Sequence, residues 1–191
     1  MFDPFTIQTI KNGGVGVVPT DTLYGLVGRA DTREVVERIY KIKKRNPDKP
    51  CIILISSLDD LNKFNVKVSE EVRKNLEKYW PGKVSVILSV NDNNFEYLTR
   101  GTKTLAFRLP DEKVLQDLIK ETGPIIAPSA NPEGEKPATT IEMANKYFGD
   151  KVDFYVDDEE LKSAPSTLIK FENGEVVVLR QGAIYIDDKV V

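Results

Sequence analysis

Apolar residues run along this chain in short bursts with two spacings, and the spacings predict helices interleaved with strands. Val35, Val36, Ile39 and Ile42 recur at helical spacing, so a helix is predicted over about 31–44 with that stripe against a core. Asp3-Pro4 supplies a cap and a first-turn proline, and Gly13-Gly14 a stop, which predicts a short helix between them. Helices are also predicted over 69–79 and 111–122. Each opens on a capping residue, and the second sets Val114, Leu115, Leu118 and Ile119 on one face. Short runs rich in apolar and β-branched residues predict strands at 15–19, 51–56, 84–90, 105–109, 125–128, 152–156, 167–171 and 176–179, with Asn173-Gly174 as a hairpin turn between the last two. The elements do not alternate in strict strand-helix-strand order. An α/β or α+β fold follows, a twisted mixed sheet flanked by helices rather than a doubly wound parallel one.

Length and composition narrow this further. With 191 residues, 40% of them hydrophobic, the chain can bury one proper core, so 1–191 is expected to be a single domain. No apolar run is long enough to span a bilayer, and Met1-Phe2-Asp3-Pro4 lacks the basic-then-apolar start of a signal peptide, so a cytoplasmic protein with no membrane partner is expected. Cys51, the single cysteine, falls in a predicted strand and reads as a buried, inert thiol. Histidine is absent, which removes Ser-His and Cys-His nucleophile pairs, histidine zinc sites and an imidazole base. The formal charge of −3 leaves nucleic-acid contact dependent on a local basic patch.

One such patch is Lys43-Lys44-Arg45-Asn46-Pro47-Asp48-Lys49-Pro50, a cationic loop punctuated by two prolines. Arg offers phosphate a planar fork and Lys a mobile point charge, so the loop reads as a polyphosphate clamp. The competing reading is a solvated basic run that complements the end of a helix. Other predicted strand ends carry small polar or cationic residues: Pro19-Thr20-Asp21-Thr22, Thr104 and Arg108, Pro128-Ser129-Ala130-Asn131, Ser166-Thr167, and Arg180-Gln181-Gly182. Any one of these reads as a turn or cap; together they read as the rim of a ligand crevice.

This ordered set resembles the YrdC/TsaC family of threonylcarbamoyl-AMP synthases. Pro19 to Leu26 resembles the family's first motif, and Lys43-x-Arg45 with Lys49-Pro50 its Lys-x-Arg loop. Trp80-Pro81-Gly82, Thr104 to Arg108, Pro128-Ser129-Ala130-Asn131, Ser166-Thr167 and Leu179 to Gly182 follow in family order, so the likeness runs from about Val15 to Ile184. It implies a minimal single-domain, YrdC-like form. It implies that Thr20, Arg108, Ser129 and Ser166 hold L-threonine, that Arg45, Lys49, Thr104, Asn131, Thr139 and Arg180 hold ATP, and that Lys43 and Arg45 are catalytic. The implied reaction takes L-threonine, bicarbonate and ATP to threonylcarbamoyl-adenylate, for N6-threonylcarbamoyladenosine at position 37 of tRNA.

Mg²⁺ is expected to arrive with ATP, with no dedicated metal ligands and no redox cofactor. tRNA or other subunits of the modification pathway are the expected partners. Asp21, the nearest candidate base, is expected to be structural. The chain departs from the family pattern at Ile53 and Leu54, where some members carry histidine, and at Glu133 and Lys83, neither of which is expected to touch a motif residue. Two other readings stay open on these residues: an RNA-binding module without catalysis, in which the cations meet phosphate backbone, and a YrdC-like enzyme that handles another carbamoyl source.

Overall fold

The computed structural model describes residues 1–172 and 174–187. Its helices are α1 (Pro4–Lys11), α2 (Arg33–Lys43), α3 (Glu70–Leu76), α4 (Glu96–Thr99), α5 (Lys113–Thr122) and α6 (Ile141–Phe148). Its strands are β1 (Gly16–Val18), β2 (Gly25–Arg29), β3 (Ile52–Leu54), β4 (Val84–Ser89), β5 (Thr104–Arg108), β6 (Ile125–Ile126), β7 (Phe154–Tyr155), β8 (Thr167–Glu172) and β9 (Glu175–Arg180). Among the described residues the strands form one mixed sheet in the order β7-β1-β2-β6-β3-β5-β4-β8-β9. The pairs β1/β7, β3/β5 and β4/β8 are parallel and the remaining pairs antiparallel. The expected mixed sheet with flanking helices is therefore what forms.

Local chemistry starts and stops these elements. Asp3 accepts the Thr6 amide at 3.0 Å and Pro4 occupies the first turn, so α1 begins as its sequence dictates. α2 buries Val35, Val36 and Ile39, keeps Ile42 at the edge of the same cluster, and ends where Lys44 turns left-handed at φ 53°. Two expectations for α5 need correction. Glu112, not Asp111, precedes the helix and makes no side-chain cap, and Val114 is 40% exposed, because the buried stripe runs Leu115, Leu118, Ile119 and leaves the preceding position turned to solvent.

β2 was not expected, since two glycines in Gly25-Leu26-Val27-Gly28-Arg29 weaken the strand signal. Leu26 and Val27 are nonetheless fully buried, and a Cβ on Gly28 would lie 2.4 Å from Val35 Cγ1, so glycine there lets α2 close on the sheet. α6 was also unforeseen; Thr140 caps it by accepting the Met143 amide at 3.3 Å. Asn173 of the expected hairpin lies outside the described residues, while Glu172 pairs with Glu175 across that end.

Alternation along the strands divides the sheet into two faces. On β5, Leu105 and Phe107 join the larger core with α2, while Thr104, Ala106 and Arg108 point the other way. On that second face, α1 and α5 cover Val18, Val27, Leu54 and Ile125 with Ile10, Leu115, Leu118 and Ile119. The part of this face that no helix among the described residues covers carries the candidate site.

Candidate functional site

A cavity of about 470 Å³ opens over that uncovered face. Its floor is apolar: Ile52 on β3 pairs in register with Ala106 on β5, Ala106 with Ile87 on β4, and Ala127 and Leu168 extend the row. Its rim is polar. The turn from Thr20 to Tyr24, the loop after α2, the Pro128-Ser129 corner, Pro165-Ser166 and the end of β9 all border it. The structure thus brings Thr20, Arg45, Lys49, Thr104, Arg108, Ser129, Ser166 and Arg180 to one cavity, and leaves Lys43, Asn131 and Thr139 off its lining.

Arg108 sits at the end of β5 with its side chain 4% exposed and pairs with Asp21, itself almost as buried. Burial dominates both groups, raising the Asp21 carboxyl and lowering the Arg108 guanidinium from their ordinary values. Arg108 Nε and Asp21 Oδ2 have no hydrogen-bond partner, so the pair is only half satisfied internally. Glu112 adjoins them, its carboxyl raised by burial and by the Asp21 and Asp158 charges. Beside this pair, Thr20 Oγ1 donates to the Leu23 carbonyl at 2.7 Å and accepts the Thr22 and Leu23 amides, which closes the turn that borders the cavity.

The β8–β9 hairpin supplies the opposite wall. Ser166 and Ser85 hydroxyls meet at 2.8 Å, and Arg180 Nη2 donates to the Ser166 carbonyl at 2.7 Å. Gly182 permits this closure, because a Cβ there would fall 2.1 Å from the Pro165 carbonyl oxygen, and its amide donates to Thr167 Oγ1 at 3.0 Å. The Arg180 guanidinium is lowered by burial first and then by the charges of Arg108 and Arg45. No carboxylate among the described residues pairs with Arg45 or Arg180.

The basic loop resolves into two kinds of cation. Arg45 and Lys49 border the cavity, Arg45 Nε donating to the Lys49 carbonyl at 3.0 Å and Nη2 to the Pro50 carbonyl at 2.8 Å. Lys43 turns away from it. Its ammonium donates to the Ser129 carbonyl at 2.6 Å, the Asn131 carbonyl at 2.7 Å and Asn131 Oδ1 at 3.1 Å. An ammonium has three N–H donors, and all are engaged, so Lys43 stands as a buried pin between the end of α2 and the Ser129–Asn131 loop rather than as a group facing the cavity. Burial, with help from the Arg45 charge, lowers its pKa to about 8.

Asn131 is likewise spent internally. Its Oδ1 accepts from Lys43 and from Ser129 Oγ at 2.7 Å, and its Nδ2 donates to Pro132 and Glu135 carbonyls at 2.8 and 2.7 Å. Thr139, partly buried, engages Leu161 through its carbonyl. Glu133 does not stand clear of the motifs: it accepts from Lys49 Nζ at 2.8 Å and from the Asn46 amide, tying the Ser129–Glu135 stretch to the basic loop. Lys83 also acts electrostatically on Asp21 and Glu112.

Reading the sequence missed several groups that the fold brings in. Tyr24 lines the rim beside Thr22, whose place there was expected, and Tyr24 Oη holds the Asp158 carbonyl at 2.9 Å. Cys51 is buried as expected, yet it borders the cavity, and burial raises its thiol. Asp48 is the lining carboxylate among the described residues, and those residues hold no cluster of three Asp, Glu, His or Cys fit for a metal ion.

The Sua5/YciO/YrdC family model, described as "Telomere recombination", matches residues 8–182. The chain belongs to this family. It is 31% identical over 182 residues to the threonylcarbamoyl-AMP synthase of Pyrococcus abyssi, covering 94% of this chain and 53% of that one. It is 32% identical over 148 residues to the threonylcarbamoyl-AMP synthase of Marinobacter nauticus, covering 76% and 78%. Its fold superimposes on the crystal structure of P. abyssi Sua5 complexed with L-threonine at a TM-score of 0.85 and 30% identity, over 93% of this chain and 53% of that one. The chain therefore spans about half of the Pyrococcus protein. Escherichia coli YciO shares the fold at a TM-score of 0.85 and 23% identity, over 97% and 91% of the two chains.

Proposed function

We propose that this chain joins L-threonine, bicarbonate and ATP into threonylcarbamoyl-adenylate, releasing pyrophosphate and water, and so acts as a nucleotidyltransferase on the route to N6-threonylcarbamoyladenosine in tRNA. The observation that carries this reading is the crowding of Arg45, Arg108 and Arg180 around one cavity where, among the described residues, a carboxylate pairs with Arg108 alone. Like charges held together in a partly desolvated space call for anionic ligands, and a triphosphate together with a carboxylate supplies them. Family membership and relatives named as threonylcarbamoyl-AMP synthases support the choice of anions.

In this reading the threonine carboxylate takes the unpaired Nε edge of Arg108, with the Thr20, Ser129 and Ser166 hydroxyls about it. The triphosphate lies toward Arg45, Lys49 and Arg180, with Thr104 beside it. The threonine amine captures bicarbonate, losing water, and a carbamate oxygen attacks the α-phosphorus in line as the bond to pyrophosphate breaks. Positioning and charge stabilisation supply the catalysis, which suits guanidiniums, an ammonium and hydroxyls. Lys43 acts behind this surface by holding Ser129 and Asn131 in place. Magnesium enters with the nucleotide, through phosphate oxygens and water. tRNA and other subunits of the modification route are the proposed downstream partners.

Incubating the protein with ATP, bicarbonate and each amino acid in turn tests the reading. Pyrophosphate should appear with threonine. Release with no amino acid requirement, or RNA retention without turnover, would overturn it.

A further inference from the structure

Arg45 reaches the cavity from the loop that follows α2, and the group best placed to hold it there lies outside the cavity. Tyr40, in the last turn of α2, is 5% exposed and does not line the site. Its hydroxyl donates to the Lys49 carbonyl at 2.8 Å, the same oxygen that receives Arg45 Nε at 3.0 Å. Its own carbonyl accepts the Arg45 amide at 3.0 Å. The Arg45 guanidinium lies 6.0 Å from the Tyr40 ring centroid, and the Arg100 guanidinium stacks over that ring at 4.0 Å. Arg100 is itself constrained, at φ 51° with its side chain 14% exposed, 3.0 Å from Glu37.

We propose that Tyr40, backed by Arg100, is a positioning residue that sets the reach of Arg45 into the cavity by fixing the Lys49 carbonyl on which both donors converge. The inference rests on the nucleotide reading above for what Arg45 then contacts, and on geometry alone for the placement. Burial raises the Tyr40 phenol far above its ordinary range, so it remains a donor across all working pH. The other ties at this end, Arg45 Nη2 on the Pro50 carbonyl at 2.8 Å, Glu133 on Lys49 Nζ and the Asn46 amide, and the Lys49 amide on the Asn46 carbonyl at 3.2 Å, leave the Lys49 carbonyl itself to Tyr40 and Arg45. Losing the Tyr40 bond therefore loosens the Lys49 carbonyl beneath Arg45 Nε and widens the range of the guanidinium, which keeps its bond to the Pro50 carbonyl, without exposing the core that the Tyr40 ring fills.

Tyr40→Phe keeps the ring and deletes only the hydroxyl. Amide exchange over residues 45–49 of the ligand-free full chain should speed up by about two- to tenfold, the worth of one hydrogen bond, while exchange in β3 and β5 and the thermal midpoint stay near those of the native protein. Titration should show ATP binding weakened by a similar factor and threonine binding unchanged. Arg100→Gln, which removes the cation from the other face of the ring, should move both readouts in the same direction by less. Unchanged exchange over 45–49 in Tyr40→Phe would overturn the proposal. Faster exchange with unaltered ATP binding would uphold Tyr40 as the support of Arg45 and overturn the assignment of Arg45 to the nucleotide.

Discussion

Replacing Lys43 by Met separates a buried pin from a group that touches the nucleotide. The substitution keeps most of the side-chain volume and removes an ammonium bonded to the Ser129 and Asn131 carbonyls and to Asn131 Oδ1. Leaving one buried and one partly buried carbonyl short of a donor costs about 1–3 kcal/mol each. Against this, the folded protein no longer bears a desolvated cation. The gap between a pKa of about 8 and the ordinary 10.5 puts that burden on the order of 3 kcal/mol. The two effects largely offset, so the net change runs from a gain of about 1 to a loss of about 3 kcal/mol, and the thermal midpoint falls by no more than about 10 °C.

The sign of the pH effect follows from the same depression. Between about pH 8 and 10.5 the unfolded chain holds the Lys43 proton and the folded chain has released it, so stability gains with rising pH in the native protein and not in the variant. Turnover should suffer more than stability, because Ser129 loses its fixed position at the threonine end. Exchange over residues 129–135 should accelerate and threonine affinity should fall. Normal turnover in Lys43→Met, or loss of ATP binding alone with unaltered exchange over 129–135, would refute the pin.

Two further substitutions probe the rim. Arg108→Lys keeps the charge and loses the planar fork, so calorimetric titration should show threonine weakened and ATP nearly unaffected, with Arg180→Lys doing the reverse; the opposite split would mean the two ends of the cavity are exchanged. Glu133→Gln keeps an acceptor for the Asn46 amide and releases Lys49 from a competing carboxylate, so ATP affinity should rise about twofold and less so at high salt, whereas weaker ATP binding would show that the tie orders the loop instead.

Much of this fold was legible because one face of each strand had to be apolar. Thr104 to Arg108 alternates so plainly that its period alone puts Thr104, Ala106 and Arg108 together. β2 escaped because its glycines serve the close approach of α2, a tertiary demand that lowers the local strand signal. α6 left a readable trace in Thr140, the Ile141, Ala144 and Phe148 spacing and Gly149, so its omission was a missed cap rather than missing information. The site was legible as a set of strand ends and illegible in its directions. Lys43 and Arg45 look alike in a basic loop, and only partners 86 and 88 residues away turn one inward, leaving the other at the cavity. Glu133 reaches Lys49 across 84 residues for the same reason.

The most direct test of the central claim follows the carbon of bicarbonate into the product. The protein is incubated with ATP, threonine and ¹³C-labelled bicarbonate, and the adenylate is examined by mass spectrometry alongside pyrophosphate release. A threonylcarbamoyl-adenylate whose mass moves with the label, absent when threonine is omitted and formed in step with pyrophosphate, is the predicted result. Pyrophosphate release that persists without threonine, or an adenylate that carries no label, would contradict the account.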